Sequence, residues 1–326
     1  MNSKFKCLKG IVKNKKWYNM VMRWIVKFEE AKNENGWMWA NVESYKPEMK
    51  DEREVNMKEY IYVGERRRII EEDIIDKVNK GILVPSESKY GVPVILVEED
   101  NIYTGDKDYR VCPNMIPINK KIKPIQYPGV SPREIADRVV GKYKSKIDIK
   151  TCYPHIRVEE SHTKYLAINV QHIPGYGNKF EYKGMPWGTT DAGRVLQREM
   201  DNMGRANYEV GGVSFERLMK GECEESFQDD TILYCEDEGD HFEDVEEWLA
   251  RMFAAGFPPN WNECEFCAEE LRWCGMMLTS EGIRQVPERV EALGMMRDPE
   301  SFEDAERWVG MVGWHREFIS GLSGIL

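Results

Sequence analysis

The sequence predicts an α+β fold. Three observations carry this reading: apolar, β-branched runs of strand length, stretches with apolar residues at helical spacing, and frequent hairpin signals between neighbouring strands. Interleaved strands and helices with many hairpins fit α+β better than a doubly wound parallel sheet. The 326 residues, 41% of them hydrophobic, suffice for one large core or two modest ones.

The elements follow in order. Residues 1–57 show no clear pattern beyond charge and tryptophan, and are read as an N-terminal extension ahead of residues 58–326. In "RRRIIEEDIIDKVNKGIL", Ile70, Ile74 and Val78 recur at helical spacing, and Gly81 closes the run as a C-cap would. "YGVPVILVEED" is apolar and β-branched, a strand. "YKSKIDIKTCYPHIRV" alternates around Asp148 and breaks at Cys152–Pro154. "NKFEYKGMPWG" reads as the second arm of a hairpin running into a Gly-Pro bend, and "TTDAGRVLQREMDNM" as a helix. "HFEDVEEWLARMFAAGF" puts Val245, Leu249 and Met252 on one helical face and ends at Gly256. "LRWCGMML" is a short strand, followed by the turn "TSEGIR". Ser301-x-x-Asp304 has the spacing of a capping box at the start of a last helix, "SFEDAERWVGMVGWHREFI".

Charge is unevenly placed. The formal net charge is −11, but residues 1–57 hold twelve basic and eight acidic side chains, which leaves −15 on residues 58–326. An acidic body argues against broad adhesion to a phosphate backbone, yet allows a local basic channel. The basic start, with eight Lys/Arg before Glu29, reads as a solvated amphipathic helix or as a tail that touches nucleic acid or anionic lipid. Its apolar stretches are too broken for a signal segment or a membrane span. Eight scattered cysteines without a dense framework point to a reducing, intracellular compartment.

The segment "SFQDDTILYC" holds Asp229 and Asp230 just before a strand. A strand–turn–strand sets such a pair at a hairpin tip, where two crowded carboxylates stay ionised comfortably only with a cation between them. Mg²⁺, bound through carboxylates and substrate phosphates, fits that need, with Mn²⁺ as a substitute. Asp148, mid-strand in an apolar alternating segment, is the third candidate ligand. Such a trio can hold two ions about 3.5–4 Å apart. In so acidic a chain, solvated surface acids are the competing reading.

Several segments in order resemble the reverse transcriptase of gypsy-type LTR retrotransposons and, more distantly, retroviral enzymes. The likeness runs from about residue 65 to the C-terminus. "IIDKVNKGILVPSESKYGVPVILV" resembles the opening of the fingers. "SKIDIKTCYPHIRVEESHTKYLAI" resembles the first palm motif, an Asp followed five residues later by an aromatic, here Asp148 and Tyr153. "FEYKGMPWGTTDAGRVLQREM" resembles the Met-Pro-aromatic-Gly segment and its helix, and "FQDD" the aromatic-x-Asp-Asp turn. "GFPPNWNECEFCAEELRWCGMMLTSEGI" is similar to the approach to the primer grip, and "AERWVGMVGWHREFISGLSGI" to the start of the thumb.

The resemblance implies a right-hand polymerase fold, with fingers, palm and the beginning of a thumb in residues 58–326. It implies RNA-directed DNA polymerase activity on a primer-template of RNA or RNA/DNA hybrid, with a deoxynucleoside triphosphate as the second substrate. Asp148, Asp229 and Asp230 would bind two metal ions, assisted by the Ile149 carbonyl. Tyr153 would gate the sugar, Gly188 and Gln197 would line the nucleotide and template side, and Arg110 would meet the triphosphate. The family continues into a connection domain beyond the last segment matched, so the chain reads as a polyprotein fragment, a degenerate copy or a stand-alone derivative.

The departures share a direction. Glu98, Glu99 and Asp100 stand where the family has a lysine cluster. Asn114, Met115 and Ile116 replace an Asp-Tyr-Arg, and Asn262 and Glu263 stand where lysines are usual. The normally apolar strand before the metal turn reads "GECEES", and Asp191 and Gly193 replace Asn and Pro. A leaving pyrophosphate is stabilised by preorganised cations, so these changes imply a weakened polymerase or a domesticated, catalytically idle subunit of a larger protein or ribonucleoprotein assembly.

Blander readings stand beside the sharp ones. Arg110 fits a surface ion pair as well as a triphosphate contact, and Tyr153 fits plain core. Cys264, Cys267 and Cys274 lack a fourth ligand at zinc spacing. His155, His162 and His172 lack ligand spacing too. Trp37 and Trp39 are candidates for base stacking, with packing the commoner fate.

Overall fold

The computed structural model describes residues 5–100, 107–314, 318, 319, 321 and 324. The first residues of the basic start, the side chains of Glu99 and Asp100, and residues 315–317 of the last helical segment lie outside the described residues.

Two sheets organise the chain. The larger has five strands in the spatial order Leu83–Pro85, Gly177–Tyr182, Ala167–Ile173, Val92–Asp100 and Lys107–Pro113. All its pairings are antiparallel except that between Val92–Asp100 and Ala167–Ile173. Val92 and Val94 are buried while Val97 is exposed, so the apolar run is core at one end and reaches solvent at the other. The helix Gly64–Asn79 packs beside this sheet through Ile70 and Ile74. The expected hairpin arm is Gly177–Tyr182, paired with Ala167–Ile173.

The second sheet carries the candidate site. Its order is Glu265–Ala268, Tyr143–Asp148, Asp230–Cys235 and Glu224–Phe227. All its pairings are antiparallel. The helices Ala192–Met203 and Glu238–Ala255 pack against it. The latter starts at Asp237, whose Oδ1 accepts from the Gly239 and Asp240 amides, and ends at Gly256 in the left-handed region. A Cβ at Gly256 would come within 2.3 Å of the Trp39 carbonyl oxygen, so only glycine lets the helix end against that segment. Val245, Leu249 and Met252 are buried, as their spacing predicts. Beyond a three-stranded meander lie the helices Pro287–Gly294 and Phe302–Trp314, and Ser301 Oγ accepts from the Asp304 amide at the expected cap.

The basic start departs most from expectation. It does form an amphipathic helix, Lys15–Asn35, but the apolar face is buried rather than solvated. Trp17, Val21, Trp24, Ile25 and Phe28 pack toward the helix Glu238–Ala255. Trp17 meets Phe242 edge-on at 5.2 Å between ring centroids, and Phe28 meets Phe253 at 5.1 Å and Trp261 at 5.8 Å. Asn14 caps the helix, and both Asn14 Nδ2 and Trp17 Nε1 donate to Glu238 Oε1. Residues of the N-terminal extension thus share one hydrophobic core with residues from the rest of the chain. The departures from the family pattern also find local partners. Asp191 is wholly buried, accepting from Tyr45 Oη at 3.0 Å and from the Ile125 amide at 2.9 Å. Glu225, buried on the strand before the acidic turn, pairs with Arg138 and Lys220.

Truncating Trp17 removes a fully buried ring and a hydrogen bond. Trp17→Ala is expected to destabilise the protein by about 3–5 kcal/mol in a denaturant titration. A loss below about 1 kcal/mol would show that the N-terminal helix is not part of the cooperative core.

Candidate active site

The site grows from the register of two strands. Asp230 lies directly opposite Asp148 across the antiparallel pair, and their side chains therefore leave the same face. Asp230 also pairs with Phe227, which leaves Gln228 and Asp229 as a two-residue turn. Gln228 takes φ +55, the positive value that primed hairpin turns require at their first central position. For a residue with a Cβ that conformation costs about 1–2 kcal/mol, so something must hold it.

Gln197 is that restraint. Its side-chain oxygen accepts from the Gln228 amide and its Nε2 donates to the Ser226 carbonyl, both at 2.9 Å. Tyr153 Oη donates to Gln228 Oε1 at 3.2 Å. Gly193 leaves room for this turn, since a Cβ there would lie 3.0 Å from Gln228 Nε2. The main chain adds the Ile149 amide donating to the Asp229 carbonyl at 3.2 Å, and the Asn260 amide donating to the Asp148 carbonyl at 2.7 Å. Gln228 is the turn residue that sequence reasoning passed over. It occupies the "x" of the aromatic-x-Asp-Asp turn, a place with no compositional signal.

The electrostatics are those of crowded, partly desolvated acids. Burial, then Glu263, Asp230 and Asp229, push the Asp148 carboxyl up to about 7. Asp230 is also raised by burial, against the pull of the Lys146 ammonium 3.7 Å away. Burial alone would lower Lys146, but Asp230, Asp148 and Glu263 outweigh it and hold this lysine above its ordinary value. Asp230 Oδ1 is buried without a hydrogen-bond partner. Thiols flank two of the acids: Cys152 Sγ is 3.7 Å from Asp229 Oδ2, and Cys274 Sγ is 3.9 Å from Asp230 Oδ2.

This donor set fits a hard divalent cation: of its three carboxylates, Asp230 has a buried oxygen that meets only the Lys146 ammonium at 3.7 Å without a hydrogen bond, and Asp148 is driven toward protonation by burial and then by neighbouring acids. The side chains turn toward different partners, and among the described residues no three His, Cys, Asp or Glu form a ready metal-ligand group. The Cys264, Cys267 and Cys274 trio is no exception, and none of the eight cysteines is in a disulfide.

The predicted residues other than Asp230 fall into two cavities on either side of the turn; Asp230 lines neither. Asp148, Ile149, Asp229 and Arg110 line one of about 620 Å³, closed by the helix Gly64–Asn79, the strand Lys107–Pro113 and the N-terminal segment. Tyr153, Gly188 and Gln197 line another of about 520 Å³, together with Gln228. Trp37 packs, stacked on His155 at 4.3 Å between ring centroids, and Trp39 receives the Arg157 guanidinium at 4.5 Å.

A strand pair with this acidic turn, set beside a helix-backed five-stranded sheet, is the architecture of a nucleotide polymerase. The model of the family "Reverse transcriptase (RNA-dependent DNA polymerase)" matches residues 105–278, and the chain belongs to that family. It is 26% identical over 263 residues to the retrovirus-related Pol polyprotein from transposon opus of Drosophila melanogaster, covering 80% of this chain and 24% of that protein. It is 23% identical over 258 residues to the Pol polyprotein from transposon gypsy of the same organism, covering 78% of this chain and 23% of that one. The chain thus spans about a quarter of these relatives' length. Among solved structures, the foamy viral protease-reverse transcriptase dRH in complex with double-stranded DNA superposes with a TM-score of 0.76 at 16% identity, over 92% of this chain and 50% of that one. The foamy viral protease-reverse transcriptase in complex with RNA/DNA hybrid gives 0.75 at 15% identity, over 93% and 38%. The fold is the right-hand polymerase fold.

Without metal, Asp148 binds its proton more tightly in the folded than in the unfolded chain, whose carboxyl titrates near 3.8. Its stabilising contribution is complete below that pH and is lost as pH rises through about 7. In EDTA, the wild type should lose stability relative to Asp148→Asn between pH 5 and pH 8. Parallel pH profiles of the two proteins would contradict the crowding described for this carboxyl.

Proposed function

We propose that the chain is an RNA-directed DNA polymerase that adds deoxynucleotides to a primer 3′-hydroxyl. Residues 58–326 supply the fingers, palm and start of the thumb. The observation that carries the reading is the register that sets Asp230 opposite Asp148, with Asp229 at the turn, Asp148 and Asp229 lining a cavity shared with Arg110. The foamy viral neighbours in complex with double-stranded DNA and RNA/DNA hybrid support a primer-template as partner.

Asp148, Asp229 and Asp230 are the residues that would hold two divalent ions, Mg²⁺ or Mn²⁺. When bound, such ions promote deprotonation of the attacking hydroxyl and neutralise charge on the leaving pyrophosphate. The protein supplies placement. Gln197 and Tyr153 fix the strained turn, so that Asp229 faces the cavity rather than the solvent. Tyr153, whose burial holds the phenol proton tightly, bounds the sugar pocket with Gly188. Arg110, on the same cavity as Asp148 and Asp229, would meet the triphosphate. Glu263, in place of a lysine, adds negative charge beside Asp148, so the turnover is slow relative to a polymerase with an intact cradle.

One observation favours the second reading, an idle subunit of a larger assembly: Lys146 is ion-paired with Asp230, where a divalent cation would otherwise neutralise it. No helix of the described residues is long and apolar enough to cross a membrane, and the free cysteines suit a reducing, intracellular setting.

Primer extension on RNA and on DNA templates separates the readings. With Mg²⁺ or Mn²⁺, the wild type should extend the primer, and Asp229→Asn/Asp230→Asn should lower the rate by at least about 10³-fold, the loss of several kcal/mol of transition-state stabilisation. No extension by folded wild type with either metal would favour the idle subunit.

A further inference from the structure

The strand Glu224–Phe227, which runs into the acidic turn, buries two adjacent glutamates, Glu224 and Glu225. With Asp201 on the neighbouring helix Ala192–Met203 they make three carboxylates, and two cations meet them. Lys220 contacts Asp201 at 2.7 Å and Glu225 at 3.7 Å, and Arg138 contacts Glu225 at 3.4 Å. Asp201 also accepts from Tyr127 Oη and Gln197 Nε2, so its charge is well partnered. Among the described residues no ion pair includes Glu224. Its Oε1 accepts from Ser226 Oγ, and its Oε2 is buried with no hydrogen-bond partner. Gly204 makes room for that oxygen, since a Cβ there would lie 2.7 Å from it. An ionised carboxylate here would be a buried charge without a counter-ion, which costs far more than burying the neutral acid. Burial raises the Glu224 carboxyl to about 7, against the pull of Lys220 and Ser226, with Glu225 and Asp201 adding to the rise. Cys223 and Tyr234, the other titratable groups beside it, are kept protonated by burial.

Glu224 stands at the root of the bonds that hold the turn. Ser226 pairs with Thr231 across the hairpin, and its Oγ lies 2.8 Å from Thr231 Oγ1. The Ser226 carbonyl accepts from Gln197, whose side-chain oxygen accepts from the Gln228 amide. Through Ser226, position 224 therefore reaches both strands of the hairpin and the strained turn that presents Asp229. We propose that Glu224 is a positioning residue that carries a proton at neutral pH, and that losing this proton loosens the Gln228–Asp229 turn. The proposal rests on the polymerase reading for its consequence in catalysis, and on the buried carboxyls alone for the proton. An ionised Glu224 draws Lys220 from its partners or water into the strand, and either change disturbs Ser226 and Gln197. The folded chain holds this proton more tightly than the unfolded chain, whose glutamate carboxyl titrates near 4.5. The brace is therefore complete below that pH and is lost as pH rises through about 7. A neutral acid also explains how a glutamate is accommodated in a strand that is apolar in the family pattern.

The test is amide hydrogen exchange at Gln228, followed by NMR in metal-free wild type, Glu224→Gln and Glu224→Met from pH 6 to pH 8.5. Both variants keep position 224 neutral at every pH, and if one fails to fold the other supplies the same comparison. Asp148 titrates in this window in all three proteins, so the ratio of rates at each pH isolates Glu224. The ratio of wild-type to variant exchange should rise about tenfold between the two ends of the range. With saturating Mg²⁺, the wild-type kcat for primer extension should fall by a similar factor relative to Glu224→Gln, with KM less changed. A ratio that differs from one but stays constant with pH would mark a merely structural contact and overturn the proposal. Equal exchange in all three proteins would overturn it as well. The expected exchange with a kcat ratio that does not change with pH would overturn the positioning role. If the exchange ratio rises as expected and no protein extends a primer, the proton-dependent brace stands and the polymerase reading fails.

Discussion

Three carboxylates at the end of one antiparallel strand pair repel one another, and partial burial strengthens that repulsion by removing the water that would screen it. The surroundings of the turn can be understood as answers to this conflict. Lys146 neutralises part of it from the neighbouring pleat. Asp148 shifts toward protonation, and Asp229 and Asp230 turn to thiols. None of these answers satisfies every oxygen, and one oxygen of Asp230 stays buried without a hydrogen bond. A bound divalent cation would neutralise these carboxylates together, as Lys146 alone does not.

Holding such a site in place demands rigid support, because a loose turn would let the acids swing apart. Support comes from Gln197 on the helix Ala192–Met203, which bonds to both sides of the turn. The first residues of that helix are held in turn by Asp191, fixed by Tyr45 and the Ile125 amide. Buried and half-buried hydrogen bonds, joined through the helix Ala192–Met203, thus connect residue 45 to the acidic turn, and such bonds are worth more in a low-dielectric interior than at the surface. The aspartate at 191 looks like damage beside the family pattern and is in fact fully bonded.

Much of this was legible in the sequence because it depends on local pattern. Strand alternation around Asp148, the helix ending at Gly256 and the cap at Ser301 are short-range signals, and the ordered motifs located the acidic turn. The tertiary role of the N-terminal helix was not legible. Its apolar face reads the same whether it meets solvent, lipid or protein, and the partners Phe242, Phe253 and Trp261 lie more than 200 residues away. Nor did spacing reveal that Tyr153, Gly188 and Gln197 border one cavity while Arg110 and Ile149 border another, since that division arises from how the turn projects between two sheets. The sequence shows that the normally apolar strand before the turn reads "GECEES"; only packing shows that Glu224 and Glu225 are buried and that Arg138, from a distant segment, and Lys220 pair with Glu225.

The claim that the acidic turn is a cation site is tested most directly by titrating the metal-free protein with Mn²⁺ and counting bound ions by electron paramagnetic resonance. The account predicts saturable binding of Mn²⁺ by the wild type, competed by Mg²⁺ and lost in Asp148→Asn. A wild-type protein that is folded at neutral pH and binds no Mn²⁺ beyond the level of that variant would contradict it, and would leave the three carboxylates as inherited structure held by Lys146 and the thiols.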